Sequence, residues 1–216
     1  MSSLDLETVD RLLTTTKQVR KRLDMTREVP TEILLECIDI ASRAPIGANL
    51  EKNRWLIVKD PELKKSLAEL YRRDGTAYID AGAEQTVAAG NDPTQLRVID
   101  SARHLLAHLQ DAPVLIVPLR IERPEPEIVD QASFWGSVVP GVWSLQLALR
   151  ARGIGSAWTT LHLYHEEEAA ALLGLPDTVT QIALLPAAYY TGDDFRPAKR
   201  RPARDITYLD RWKQPI

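Results

Sequence analysis

The stretch FWGSVVPGVWSLQLALRAR, residues 134–152, decides the fold. Phe134, Trp135, Val138, Val139, Val142, Trp143, Leu145, Leu147 and Leu149 cover more than one face of a helix. A helix that is apolar on nearly all sides is buried by its neighbours. Trp135 and Trp143 read as lying on different faces. A chain of 216 residues does not easily cover both, so a second copy of the chain is expected to cover part of the helix. Pro140 must start this helix or kink it, and Gly153 suits its C-terminal cap.

On either side of this helix the elements are short and irregular. Residues 120–130 are charged and proline-rich and read as a loop. Before them, Ala112–Leu119 (APVLIVPL) reads as a strand whose prolines place it near a sheet edge or in a short pairing. Residues 95–110 read as helical. Residues 73–93, with Gly75, Gly82 and Gly90 and no strong period, read as a mobile excursion or lid. Pro61 can begin a helix in which Leu63, Leu67 and Leu70 share a face. Trp55–Val58 suits a buried strand, and residues 46–53 form a loop after Pro45. Thr31 can cap a helix with the stripe Ile33, Leu34, Cys37, Ile38 and Ala41. Residues 4–15 read as an amphipathic helix on Leu6, Val9, Leu12 and Leu13. C-terminal to the central helix come a short extended segment over 155–161, a helix over 166–173 ended by Gly174, and a last core strand, Ile182–Tyr190. Regular βαβ repetition is absent, so an α+β fold, a small mixed or antiparallel sheet wrapped by helices, is expected. No linker or repeat divides residues 1–216, which are expected to form a single domain.

The 44% hydrophobic and 26% charged composition places the chain among soluble globular proteins. A net charge of −3 does not favour nucleic acid as a partner. No apolar run approaches the roughly 20 residues of a membrane span. The N-terminus is acidic before it is basic, unlike a signal peptide. Cys37 is the only cysteine, in an apolar helical pattern, where it reads as a small buried hydrophobe. With no disulfide possible within the chain, a reducing, cytoplasmic location is expected.

Several kinds of site lack their signature. There is no GxGxxG, GxxxxGK[ST] or GxSxG. His104 and His108, four apart, lack the glutamate of HExxH, and no metal site is expected. His162 and His165 read as surface or loop residues. A chain with an apolar core and little acid–base apparatus often borrows its chemistry from a cofactor. Three separated segments suit flavin mononucleotide (FMN): Lys17–Arg22 (KQVRKR), Ala44–Asn49 (APIGAN) and Pro197–Pro202 (PAKRRP). Cations of the first and third can neutralise its phosphate. A cation beside the ring would stabilise the charge that develops there on reduction.

In order and in neighbours these segments resemble the nitroreductase family over nearly the whole chain. The likeness runs through TTKQVRKRLDMTREVP, ILLECIDIASRAPIGANLEKNRWLIVKDPELKKSLAELYR, the central helix with its continuation GIGSAWTTLHL, and LLPAAYYTGDDFRPAKRRP. The resemblance implies an intertwined homodimer with two FMN sites between subunits. It implies ping-pong reduction of FMN by NADH or NADPH, then of a small acceptor such as a nitroaromatic, quinone, enone or reactive aldehyde. Lys17, Gln18 and Arg20 match the element that serves phosphate, ribityl chain and ring, with Arg20 as the cation near ring N1 and O2. Pro45, Ile46, Gly47 and Asn49 match a loop reaching FMN from the partner subunit. Trp158, Thr159, Thr160 and Leu161 match a segment whose backbone runs beside the ring, and Lys199 and Arg200 match cations at the phosphate. The chain departs from the family at Lys17-Gln18, commonly Arg-Ser, and at Glu51 and Asn53, commonly Gln and Trp. These departures suggest weaker FMN binding, and they keep open an alternative of flavin binding or sequestration with little reductase turnover. Flavin fragmentation or reductive dehalogenation on the same scaffold is a further alternative, and a cofactor-free binding protein another.

Overall fold

The computed structural model describes residues 4–192 and 194–216. They form two compact units, one of residues 17–192 and one of the terminal segments 4–16 and 194–216.

The larger unit is built on β2 (Val114–Arg120), all seven residues of which are buried. Alternation along a strand sends successive side chains to opposite faces. Val114 and Ile116 enter one hydrophobic core, whereas Leu115, Val117 and Leu119 enter the other. Helices α2 (Thr31–Ala41) and α5 (Ile128–Ala151) supply Leu34, Cys37, Phe134, Val142, Leu145 and Leu149 to the first core. Helices α3 (Pro61–Ala88) and α4 (Pro93–His108) supply Leu67, Leu70, Tyr71 and Leu105 to the second. The sheet is thus covered on both faces, and all its pairings are antiparallel. It runs β1 (Asn53–Val58), β2, β5 (Leu185–Tyr189), β3 (Ile154–Ser156), with β4 (Thr180–Gln181) also on β2. This is the expected α+β class with a small antiparallel sheet. Cys37 is buried, as expected.

Several local expectations are corrected. β2 is central, not an edge strand. It pairs with β5 through Val114–Ile116 and with β4 through Leu119–Arg120, so Pro118 falls in the gap between them. Its missing N–H therefore breaks no ladder bond to those strands, while its carbonyl accepts from Ile182 N at 2.9 Å. That same gap shortens the expected strand Ile182–Tyr190 to Leu185–Tyr189, preceded by a single bridge from Leu184 to Thr159. α5 begins at Ile128, inside the expected loop, so Pro140 does not start the helix but lies in its interior. Trp135, Val139 and Trp143 are four apart and share one face, more than a third exposed at 38%, 39% and 37%. Thr31 is the first residue of α2 and not its cap; Pro30 precedes it with no side-chain capping bond. Residues 73–88 are helical, carrying α3 to 28 residues. The segment carries Ala77, Ala81, Ala83 and Ala88, whose high helix propensity offsets its glycines. Gly75 serves packing, since a Cβ there would meet Leu106 Cδ1 at 2.5 Å. Gly90 and Asn91, both with positive φ, then end the helix.

In the terminal unit, α1 (Leu6–Thr15) is capped by Asp5, which accepts from Thr8 N. Arg11 joins it to the C-terminal segment through Asp194 Oδ2, with Nε at 3.0 Å and Nη2 at 2.5 Å. α6 (Glu166–Leu173) ends at Gly174 in the left-handed region, as its sequence predicts.

Candidate functional site

The site begins where residues 17–20 run alongside β3. Val19 N donates to Ser156 O at 2.9 Å, and Val19 is buried. The contact depends on Gly155, since a Cβ there would lie 2.8 Å from Val19 Cβ. Gln18 ties this segment to the next: its Oε1 accepts from Trp158 N and, at 3.3 Å, from Gln146 Nε2. Gln146, a buried polar residue of α5, also donates to Ser156 Oγ at 3.0 Å. A polar side chain buried in an apolar helix needs such partners. Gln146 was missed in the sequence, although a glutamine within SLQLAL is a visible exception to the apolar pattern.

Arg20 and Trp158–Leu161 are thereby brought to one cavity of about 560 Å³, whose wall also includes Tyr71, Tyr78 and Tyr164. Arg20 is half-buried and pairs with no carboxylate among the described residues; its Nη1 contacts Ser101 Oγ at 3.4 Å. Desolvation lowers its pKa, partly opposed by Tyr71. Tyr71, buried, has its phenol pKa raised by desolvation, an effect Arg20 opposes. Among the described residues Arg20 is the only formal charge on the cavity wall. A guanidinium stays protonated even when partly desolvated, so an anionic or electron-rich group is the favoured neighbour. Of the amides in 158–161, that of Trp158 donates to Gln18 and that of Thr159 to Leu184 O. Those of Thr160 and Leu161 have no partner among the described residues and belong to residues of the cavity wall.

Other expected site residues lie elsewhere. Pro45, Ile46, Gly47 and Asn49 do not line this cavity. Their loop packs on α5, where Gly47 N donates to Ser137 Oγ at 2.9 Å, and Ala48 and Asn49 adopt positive φ. Lys199 and Arg200 are exposed in the terminal unit, with Arg200 Nη1 donating to the Lys199 carbonyl at 3.0 Å. Glu51 is exposed, and neither neighbouring cation pairs with its carboxylate. Lys52 pairs with Glu122 at 2.7 Å, and Arg54 donates to the backbone carbonyls of Glu51 and Asn53.

The departure at Asn53 has a structural partner. Asn53 Oδ1 accepts from Arg120 Nη1 at 3.1 Å, and its Nδ2 donates to Ser137 O at 2.8 Å. Arg120, 4% exposed, pairs with Glu122 at 2.8 Å. Asn53 thus completes the hydrogen bonding of a buried cation, which is costly to leave unpaired.

His162 corrects a further expectation. It is fully buried, not at the surface, with no partner for either ring nitrogen among the described residues. Burial pushes its pKa down to about 4, so the ring is neutral. His165 instead bridges Asp74 at 2.7 Å and Glu168 at 3.4 Å. His104 and His108 stack with ring centroids 4.7 Å apart. Among the described residues no group of three or more His, Cys, Asp or Glu is placed to hold a metal ion.

The sequence model of the nitroreductase family matches residues 14–189. A protein named NADH dehydrogenase from Thermus thermophilus is 28% identical over 191 residues, spanning 82% of this chain and 85% of its own length. An iodotyrosine deiodinase of Drosophila melanogaster is 29% identical over 166 residues, spanning 73% of this chain and 54% of its own. Among solved structures, the FMN-dependent nitroreductase NfnB from Mycobacterium smegmatis, in complex with NADPH, superposes with a TM-score of 0.68 at 18% identity. That match covers 95% of this chain and 99% of NfnB.

Proposed function

The chain belongs to the nitroreductase family, and from that premise we propose that it is an FMN-dependent oxidoreductase using NADH or NADPH to reduce a small acceptor. The observation that carries this reading is Arg20, a cation without a carboxylate partner on the wall of a cavity flanked by tyrosines and by Trp158–Leu161. The cavity fits a flat, partly apolar, electron-rich group. When bound, FMN would supply a two-electron carrier between the nicotinamide and the acceptor.

The chain's own residues bind and orient. Arg20 sets a positive charge where negative charge grows during reduction, stabilising the transition state more than the ground state. The amides of Thr160 and Leu161 are donors toward the same group. Gln18, fixed by Trp158 N and Gln146, holds the wall segment in register. Lys17 and, from the terminal segment, Lys199 and Arg200 are assigned to the phosphate. Pro45, Ile46, Gly47 and Asn49 are assigned to the site of a second copy, and α3 with α4 to covering the acceptor. No residue here is asked to be a nucleophile or general base, because hydride transfer depends chiefly on stacking donor and acceptor in order.

Nitroaromatics, quinones, enones and reactive aldehydes suit such a site, each gaining a hydride and a proton from solvent, with the nitro group losing water as it becomes nitroso. A zwitterionic amino acid such as a halotyrosine suits it less, since among the described residues the wall offers Arg20 as its single formal charge. The test is anaerobic titration of FMN-loaded protein with NADH and NADPH, followed by reoxidation with an acceptor panel. Bleaching of the flavin by a nicotinamide and recovery by an acceptor are expected. A protein that takes up FMN but is not reduced would instead be a flavin-sequestering one.

A further inference from the structure

Beside the Arg20 cavity lies a second, of about 570 Å³, between the C-terminal half of α3 and α4. The two share Tyr78, Ile79 and Ala102 and so adjoin one another. The second has a different character. Ala81, Gly82, Ala89, Val98 and Ile99 form much of its wall, and its one formal charge, Asp92, already caps α4 by accepting from Thr94 N at 2.8 Å. Thr86 is likewise engaged, donating to the Gly82 carbonyl at 2.9 Å. No cation lines it. Gly82 leaves open space, since a Cβ there would meet nothing within 4 Å.

We propose that this cavity receives an uncharged apolar tail of the acceptor, whose reactive end occupies the Arg20 cavity; the inference rests on reading that cavity as the redox site. The class of acceptor is therefore a quinone or enone bearing an alkyl or similar chain. An anionic tail is disfavoured: besides the neutral amides of Gln85 and Gln95 the wall is largely apolar, no cation lines it among the described residues, and Asp92 would repel it. Transfer of each methylene out of water stabilises binding in proportion to the area covered, so affinity follows chain length.

The experiment uses FMN-loaded protein and redox-inert 4-n-alkylphenols, from methyl to octyl, with Kd measured by calorimetry. Kd is expected to fall about two- to fourfold per methylene over several methylenes and then level off. A carboxylate at the chain end is expected to reverse the gain. Gly82→Leu fills the cavity and is expected to flatten the dependence on length. Val98→Glu, a change at a partly exposed position of α4, is expected to weaken the longer chains selectively. Flavin absorbance is read on every sample. Protein that takes up no FMN overturns the redox reading itself. Flavin-loaded protein whose Kd ignores chain length, or whose length dependence survives Gly82→Leu, overturns the tail site alone.

Discussion

The role proposed for Arg20 is separable from simple anion binding. On that proposal its charge would matter most when a bound flavin gains electrons, whereas Lys199 and Arg200 are assigned to a phosphate whose charge is the same before and after. Arg20→Ala is therefore expected to slow flavin reduction by on the order of a hundredfold, about 3 kcal/mol, with FMN affinity changed far less. Stopped-flow reduction of FMN-saturated variants measures this, and a normal rate in saturated Arg20→Ala removes the assignment. Alanine at Lys199 or Arg200 is expected to do the reverse, weakening FMN binding at little cost in rate. The placement of Arg20 beside Trp158–Leu161 was legible because both lie in contiguous motifs. His162 was not legible, because LHLYH looks polar and only the packing of its turn in the fold buries it. Its pKa falls from 6.5 to about 4 on folding. The unfolded chain then binds the proton first, so this share of stability is complete above pH 6.5 and drains away as pH falls toward 4. The full loss is about 3 kcal/mol. Urea midpoints from pH 7.5 to 4.5 are expected to fall more steeply for the wild type than for His162→Leu, and parallel curves would falsify this account.

At the scale of elements, the reading succeeded where periodicity was long and failed where a local signal was set against tertiary context. α6 and its left-handed Gly174 follow directly from the sequence, and α1 and α2 from their apolar stripes. Pro113 and Pro118 suggested an edge, but what matters for a proline is which carbonyl lacks a donor, and Pro118, the one inside β2, sits at a gap between β4 and β5. Gly75 and Gly82 suggested irregular chain, yet the surrounding alanines keep α3 helical and Gly75 admits Leu106. The site itself rests on one contact between elements, β3 against residues 17–20. Gly155→Ala places a Cβ 2.8 Å from Val19 Cβ, against a buried β-branched side chain with little freedom to move. A loss of about 1–3 kcal/mol in denaturant stability is expected. Because Gln18 and Arg20 flank Val19, FMN affinity is expected to fall with it. Gly153→Ala, two residues away and strained only by its own positive φ, serves as the comparison. Equal loss of FMN affinity in the two variants would detach the site from the Val19 contact.

At the scale of the whole molecule, the chain leaves apolar surface and an incomplete site that point the same way. α5 buries Phe134, Val138, Val142, Leu145 and Leu149 within the larger unit and leaves Trp135, Val139 and Trp143 on an outer stripe. The terminal unit exposes Leu6, Leu13, Leu209 and Trp212. Stable interfaces between copies of a chain are built from large apolar residues of this kind, and obligate ones exceed the standard size. The loop Pro45–Asn49, assigned to the cofactor, is held on α5 through Ser137 and takes no part in the Arg20 cavity of its own chain. One pairing accounts for both features if the α5 stripe is buried between two copies and each loop serves the other copy's cavity. The protein is then expected to sediment as a dimer at micromolar concentration and below. Trp143→Glu puts a charge into the stripe, where burial without a partner is costly, and is expected to yield monomer. The same monomer is expected to lose more than tenfold in FMN affinity, although residue 143 lies in neither cavity wall. Circular dichroism on that variant separates dissociation from unfolding. A folded monomer that binds FMN as tightly as the wild type would leave the cofactor site complete within one chain and would return residues 45–49 to a purely structural role.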